Sequence, residues 1–247
     1  MYELKYIHGM EPVGTANAIQ RGLSYHGKVE KILDYQSDWA DDNLKTNAMA
    51  MAFEAYILPQ LRKRHVVGVE GWFEYSLLSG KIKGRYDALC NHGIIVEHKT
   101  TSGLIDGAYL QRLEMDEQIP TYLIASGGNL VCYTICSTPS IRQRKNESDA
   151  EFQQRCFDWY EDGNYQKITM LELYRSDEQL EKFRQEQNAI VEEMANCKNY
   201  YRNPSHCTKF GRLCEYAPIC MNYDPEQEYI QFRMRDGYND ETGKTGD

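Results

Sequence analysis

The sequence predicts an α/β protein: a central mixed β-sheet flanked by helices, followed by a C-terminal module rich in cysteine. Three observations predict it. Two stretches of helical periodicity, residues 15–36 and 43–64, precede three consecutive strand-like runs between Val66 and Thr100. Helical and strand patterns then alternate to about residue 196. Three cysteines fall within the fourteen residues from Cys207 to Cys220, in a polar segment with little apolar periodicity.

The first helix, residues 15–36, carries Ala18, Ile19, Leu23, Val29, Ile32 and Leu33 as an approximate stripe, and Thr15 or Asn17 can cap it. His26 and Glu30 are four residues apart on it and share a face. The second helix, residues 43–64, is built on Leu44, Ala48, Met51, Ala52, Ala55, Ile57, Leu58 and Leu61, and Pro59 is expected to bend or end it. Glu54 on this helix reads equally well as a solvated acid or a supporting one. Val66 to Leu78 is β-like, Ser79-Gly80 turns the chain, and Lys81 to Leu89 returns. A polar turn at Asn91-His92-Gly93 leads into Gly93–Thr100. Turns this short predict an antiparallel meander.

Residues 106–126 read as one helix kinked at Pro120, with Tyr109, Leu110, Leu113 and Met115 on its apolar side. Asn129–Thr138 reads as a strand and Pro139–Asp149 as a polar loop carrying Arg142, Arg144 and Lys145. A helix from Asp149 to Glu161 and an edge strand from Tyr165 to Tyr174 follow. Ser176, with Glu178 close behind, resembles a capping box for a long helix running to about Asn196. There is no internal repeat.

Composition narrows the classes of function. A chain of 247 residues with 41% hydrophobic residues builds one generous core, or one core and a small module. No apolar run approaches the ~20 residues of a membrane span, and Met1-Tyr2-Glu3-Leu4-Lys5 lacks a signal-peptide pattern. The expectation is a soluble, cytoplasmic protein. A net charge of −9 argues against a broad nucleic-acid-binding surface. The segment from Asp224 to Asp247, with seven acidic and three basic residues, accounts for almost half of that charge. Local basic clusters stand at Arg62-Lys63-Arg64-His65, at Lys81, Lys83 and Arg85, and at Arg142, Arg144 and Lys145. The plain account of any one of them is a solvated face.

The chemistry centres on Gly84-Arg85-Tyr86-Asp87 and on Gly93-Ile94-Ile95-Val96-Glu97-His98-Lys99. Residues i and i+2 of a strand share a face, so Glu97 and Lys99 point the same way. Charges at the end of an apolar strand are costly unless a metal or a substrate pairs with them. With Asp87 from the neighbouring strand the set is two carboxylates and a lysine, as metal-assisted phosphodiester hydrolysis requires.

Asp87-x9-Glu97-x-Lys99 resembles the core of the PD-(D/E)XK nuclease superfamily, with Tyr86 in place of the proline. Its surroundings resemble the RecB-like exonuclease branch, which includes phage-encoded members. In that branch a preceding helix donates a His, and His26 is similar to that residue; taken alone, His26 would read as a ring packed on a helix surface. A Gln-x3-Tyr signature follows Glu-x-Lys in the branch, and Gln118-x3-Tyr122 matches it. The plain alternative there is core packing for Tyr122.

The resemblance implies a restriction-endonuclease-like core over residues 1–200. It implies Mg²⁺ or Mn²⁺ held by Asp87, Glu97, His26 and the main-chain carbonyl of His98, with Lys99 acting on the water and the phosphate. Gln118 and Tyr122 would orient the strand. An acid near Glu70 belongs to the pattern, and a structural salt bridge explains Glu70 equally well. The expected activity is a DNA exonuclease acting on a single-stranded end, alongside recombination or replication proteins. A structure-specific endonuclease and a non-catalytic nucleic-acid-binding subunit are the alternatives.

Of the eight cysteines, Cys90, Cys132 and Cys136 lie in strand-like runs, where Cys serves as a small apolar residue. Cys207-x6-Cys214-x5-Cys220 reads as a metal-organised loop, residues 201–224, ahead of an acidic, flexible tail, 225–247. It resembles the C-terminal cysteine module of RecB-like nucleases that carry a 4Fe–4S cluster. Their fourth ligand is an N-terminal Cys, and residues 1–89 here contain none. Cys197 is the nearest substitute; Cys136, Cys156 and His206 are others. Thiolates suit Zn²⁺ as well.

Overall fold

The structure, a computed structural model, describes residues 5, 9–12, 17–162, 166–199, 204–208, 213–221, 232–234, 238–239 and 244–245. In chain order the elements begin with β1 (Met10–Pro12), α1 (Asn17–Leu33), α2 (Leu44–Ala52), α3 (Leu58–Lys63), β2 (Val66–Leu77), β3 (Gly80–Cys90) and β4 (Ile95–Thr101). They continue with α4 (Gly107–Glu114), α5 (Gln118–Ser126), β5 (Leu130–Ser137), α6 (Asp149–Asp158), β6 (Ile168–Tyr174) and α7 (Asp177–Asn196). The last are α8 (Pro204–Cys207), α9 (Ala217–Cys220), β7 (Phe232–Met234), β8 (Tyr238–Asn239) and β9 (Lys244–Thr245).

The chain divides into two compact units, Ala18–Ala195 and the two terminal segments Met1–Asn17 with Asn196–Asp247. In the terminal unit β1 and β7 pair antiparallel, Met10 opposite Met234. The Tyr216 hydroxyl donates to the Met10 carbonyl at 2.9 Å. These pairings group the N-terminal residues with the C-terminal ones, an association that spans over 200 residues and leaves no local pattern. They also put Phe232–Met234, within the segment expected to be a flexible tail, in a strand.

The larger unit is built on a five-stranded sheet in the order β2-β3-β4-β5-β6. β4 and β5 run parallel and the other neighbours antiparallel, so the sheet is mixed. Period-two alternation splits its side chains between two cores. Val96, Cys132 and Cys136 join Tyr25, Val29, Met49, Phe53 and Leu61 from the helices α1 to α3. Ile95, Val131, Tyr133 and Ile135 join Leu113, Ile119 and Leu123 from α4 and α5. A sheet buried on both faces places β4 and β5 at its centre, and their apolar runs reflect that.

The structure refines the expected helices at four points. Residues 44–63 are helical throughout, with an interruption just ahead of Pro59. Phe53–Ile57 forms a π turn between α2 and α3, because Pro59 lacks the N–H an uninterrupted helix would use and so sits at the start of α3. The 106–126 helix breaks at Met115–Glu117 rather than at Pro120. The Asp116 carboxylate accepts from the Gln118 amide at 2.8 Å, and buried Arg175 donates to the Leu113 carbonyl at 3.0 Å. Pro120 lies in the first turn of α5, where its missing donor costs nothing. The capping partner of Ser176 is Gln179, whose side chain receives the Ser176 amide at 2.8 Å, rather than Glu178. Of the proposed caps of α1, Thr15 lies outside the described residues and Asn17 is itself the first helical residue.

The β2–β3 hairpin carries two cross-strand Gly–aromatic pairs, Gly71 opposite Tyr86 and Phe73 opposite Gly84. Each ring covers its glycine. A Cβ on Gly71 would lie 2.1 Å from the Tyr86 hydroxyl, and one on Gly84 2.3 Å from the Phe73 ring. Gly71→Ala therefore displaces Tyr86, the neighbour of Asp87. It is expected to lower stability by about 1–3 kcal/mol, seen as a lower urea midpoint with an unchanged slope.

Candidate active site

The site forms where the hairpin meets β4. Glu70 has φ 52°, in the left-handed region that a glutamate rarely occupies. It lies between the pairs Val69–Ala88 and Gly71–Tyr86, which sets it across from Asp87. Side-chain alternation slips at this point: Tyr86 packs against the α4–α5 core, whereas Ala88 is buried in the α1–α3 core. The slip turns Glu70 and Asp87 together toward α1.

There they meet His26. One ligand atom each from His26, Glu70 and Asp87 lies within 4.8 Å of the others, the one such group of three among the described residues. His26 Nδ1 is 3.2 Å from Asp87 Oδ1, and the His98 main-chain N–H donates to Asp87 Oδ2 at 2.6 Å. Arg85 forms an ion pair with Glu70. Burial acts to lower the His26 pKa, but the hydrogen bond and charge of Asp87 outweigh it and the net shift is upward. Burial acts to raise Asp87, and the hydrogen bond from His26 prevails, so its carboxyl titrates below the usual range. Glu70 is raised, by burial first and then by the charge of Asp87.

On the other side of β4, Glu97, Lys99, Gln118 and Tyr122 close a ring of hydrogen bonds. Lys99 Nζ donates to Glu97 Oε1, and also to Gln118 Oε1 at 2.7 Å. Gln118 Nε2 donates to the Tyr122 hydroxyl at 2.6 Å, and that hydroxyl donates to Glu97 Oε2 at 2.7 Å. The one-turn spacing of Gln118 and Tyr122 on α5 is what lets an amide and a phenol reach the same carboxylate–ammonium pair. Glu97 is only 3% exposed. Its pKa is raised, by burial and then by the charge of Asp87, against the pull of Lys99. Asp87 and Glu97 are thus two carboxylates pushed in opposite directions by their surroundings.

The structure sets the core residues singled out from the sequence in two neighbouring groups, and the three-ligand cluster takes Glu70 where the sequence names Glu97. His26 and Asp87 touch; Glu97, Lys99, Gln118 and Tyr122 form the ring; His98 joins the two groups through its main chain. The His98 side chain points away from the ring. Its Nδ1 is 2.6 Å from the Thr134 hydroxyl, its ring centre is 5.3 Å from that of Phe53, and burial pushes its pKa down to about 4. Buried His98 Nε2 has no partner among the described residues. Sequence reasoning misses Thr134, since a strand threonine carries no local signal of what it faces. Glu70 reads two ways in the sequence; its left-handed backbone, which no residue-type pattern reveals, is what turns it inward. In the terminal unit Cys207, Cys214 and Cys220 are half-buried and Cys197 is exposed. The Cys214 amide donates to the Cys207 carbonyl at 2.6 Å. The side chain of His206 lies outside the described residues.

The chain matches the sequence model of the PD-(D/E)XK nuclease superfamily over residues 15–221. Among solved structures it is similar to a phage-related exonuclease from Haemophilus somnus 129PT, with 17% identity over 78% of this chain and 90% of that one, at a TM-score of 0.40. A provisionally assigned exonuclease from Eubacterium rectale shares 12% identity over 88% and 78%, with a TM-score of 0.47. An alkaline exonuclease from Laribacter hongkongensis shares 12% over 78% and 89%, with a TM-score of 0.31. Among curated proteins, none matches the chain. No helix of the described residues is long and apolar enough to cross a membrane.

Proposed function

Because the chain belongs to the PD-(D/E)XK nuclease superfamily, we propose that it is a divalent-metal-dependent DNA exonuclease. The observation that carries this reading is the adjacency of two groups. One is an imidazole–carboxylate cluster with ligand spacing; the other is a lysine held by a carboxylate and an amide. The order His26, Asp87, Glu97-x-Lys99, Gln118-x3-Tyr122 resembles the exonuclease branch, and that order favours attack at an end.

The donor set fits a hard divalent cation. Two carboxylates and one imidazole within 4.8 Å of one another suit Mg²⁺ or Mn²⁺. His26, Glu70 and Asp87 would hold it, with Glu97 and the His98 carbonyl the further donors named from the sequence. When bound, the cation supplies Lewis acidity at the scissile phosphate and acidifies a water. A ligating imidazole must be neutral, and the hydrogen bond and charge of Asp87 favour protonated His26, so binding of the cation would strengthen as pH rises through the elevated His26 pKa. Lys99, held in place by Glu97 and Gln118, offsets the negative charge that builds on the phosphorus oxygens. Tyr122 holds the Glu97 carboxylate against rotation.

Digestion of labelled linear DNA with Mg²⁺ or Mn²⁺, abolished by EDTA, is the expected result. Circular single-stranded DNA should survive. Cutting of the circle would identify an endonuclease, and metal-independent or absent cutting would reject the reading.

For the terminal unit the proposal is a metal bound by Cys207, Cys214 and Cys220, with Cys197 as the fourth ligand. Three half-buried thiols in one short segment support it. A 4Fe–4S cluster is the favoured group and Zn²⁺ the alternative. Protein purified without oxygen should show a broad band near ~400 nm; a colourless protein containing zinc would replace the cluster by that ion.

A further inference from the structure

The β2–β3 hairpin runs on past Glu70 and Asp87 as an arm with two unlike faces. Phe73, Tyr75 and Leu77 face inward. The Tyr75 hydroxyl donates to Gln187 Oε1 and the Leu78 amide to Asn188 Oδ1, each at 2.7 Å, and both partners lie on α7. The opposite face is open. Across it the pairs are Trp72–Arg85, Glu74–Lys83 and Ser76–Lys81. Alternation sets these pairs in line with Glu70 and Asp87, each about 7 Å farther out than the last.

Two properties of this face call for an occupant. Trp72 is 74% exposed, although Trp side chains are ordinarily well buried and Trp39 and Trp159 pack against the core. Lys81, Lys83 and Arg85 line one strand with Glu74 as the one carboxylate of the outer pairs, in a chain whose net charge is −9. This is a local reversal of sign that starts at the candidate active site and leads away from it.

We propose that this face is a track for single-stranded nucleic acid running from the scissile phosphate. Trp72 stacks on an unpaired base beside the cleavage point, and Lys83 and then Lys81 hold phosphates farther along. An indole can stack only where a base face is uncovered, which a strand offers and the interior of a duplex does not. The present partner of the lysines is Glu74, at 2.5 Å from Lys81 and 3.3 Å from Lys83. Exposed pairs of this kind are weak, so phosphates displace them and Glu74 acts as a brake on binding. The inference rests on the nuclease reading for the position of the scissile phosphate.

The test measures binding of a labelled oligodeoxythymidine by fluorescence anisotropy. It uses the full chain carrying Asp87→Asn so that the probe stays intact. Trp72→Ala should weaken binding about tenfold, and Trp72→Phe should retain most of it. Lys81→Ala with Lys83→Ala should weaken binding and lower the salt slope by about 1.4. Glu74→Gln should tighten it. Trp72 fluorescence should be quenched by the oligonucleotide in the Trp72 protein and not in Trp72→Phe. A matching duplex should be much less sensitive to Trp72→Ala. Affinity unchanged in both the Trp72→Ala and the double-lysine variants overturns the track, as does an equal Trp72 effect on strand and duplex. If these effects appear while the wild-type chain digests no DNA with Mg²⁺ or Mn²⁺, the track stands and the nuclease reading falls. If digestion proceeds but is indifferent to all three residues, the nuclease reading stands and the track falls.

Discussion

Asp87→Asn and Lys99→Ala should each cut metal-dependent digestion of DNA by about a hundred- to a thousandfold, with the fold intact by circular dichroism. The two act through different losses. Asp87 is the one carboxylate that receives both His26 Nδ1 and the His98 amide. An amide there removes a charged donor from the cluster with His26 and Glu70 and offers one oxygen where two were used. Lys99 is joined to Glu97 and Gln118. Without its ammonium the buried Glu97 loses the charge that opposes its upward shift and is driven further toward the protonated form. Lys99→Ala should therefore move the acidic limb of the pH–rate profile upward, a change that Asp87→Asn does not require. Wild-type rates in either variant would show that the reaction does not pass through these groups.

Phe53→Ala should strongly destabilise the fold. Phe53 is fully buried, lies in the π turn between α2 and α3, and meets the His98 ring edge-on at 5.3 Å. Removing a buried phenyl costs about 3–5 kcal/mol. For a chain of this size that lowers the melting temperature by roughly 10 °C. The cavity would open beside β4, so digestion should also slow, measured well below the new melting point. A loss of activity with no loss of stability would contradict this account of Phe53 as packing.

The parts of the site that are legible in the sequence are those whose meaning is local. Glu97 and Lys99 share a face because two residues of strand separate them, and Gln118 and Tyr122 do because one helical turn does. The alternation of Val96 with Ile95, and of Cys132 with Val131, likewise underlies the two-sided core. What the sequence hides depends on distant partners or on backbone state. The break before Gln118 needs Arg175, which donates to the Leu113 carbonyl 62 residues away. Pro120 is the visible signal there, and it is compatible with a helix start as much as with a kink. Glu70 cannot be distinguished by residue type from a surface salt bridge, since its φ of 52° and its place opposite Asp87 belong to the register of the hairpin.

The two halves of the site also differ in how far the chain must travel to close them. Lys99 meets Gln118 across 19 residues and Glu97 meets Tyr122 across 25, whereas His26 meets Asp87 across 61. Short closures form first in a folding chain, because each asks for less conformational entropy before it is rewarded. In refolding, the lysine-bearing ring should assemble while the helix that carries His26 is still undocked. Recovery of metal affinity would then lag behind recovery of the sheet.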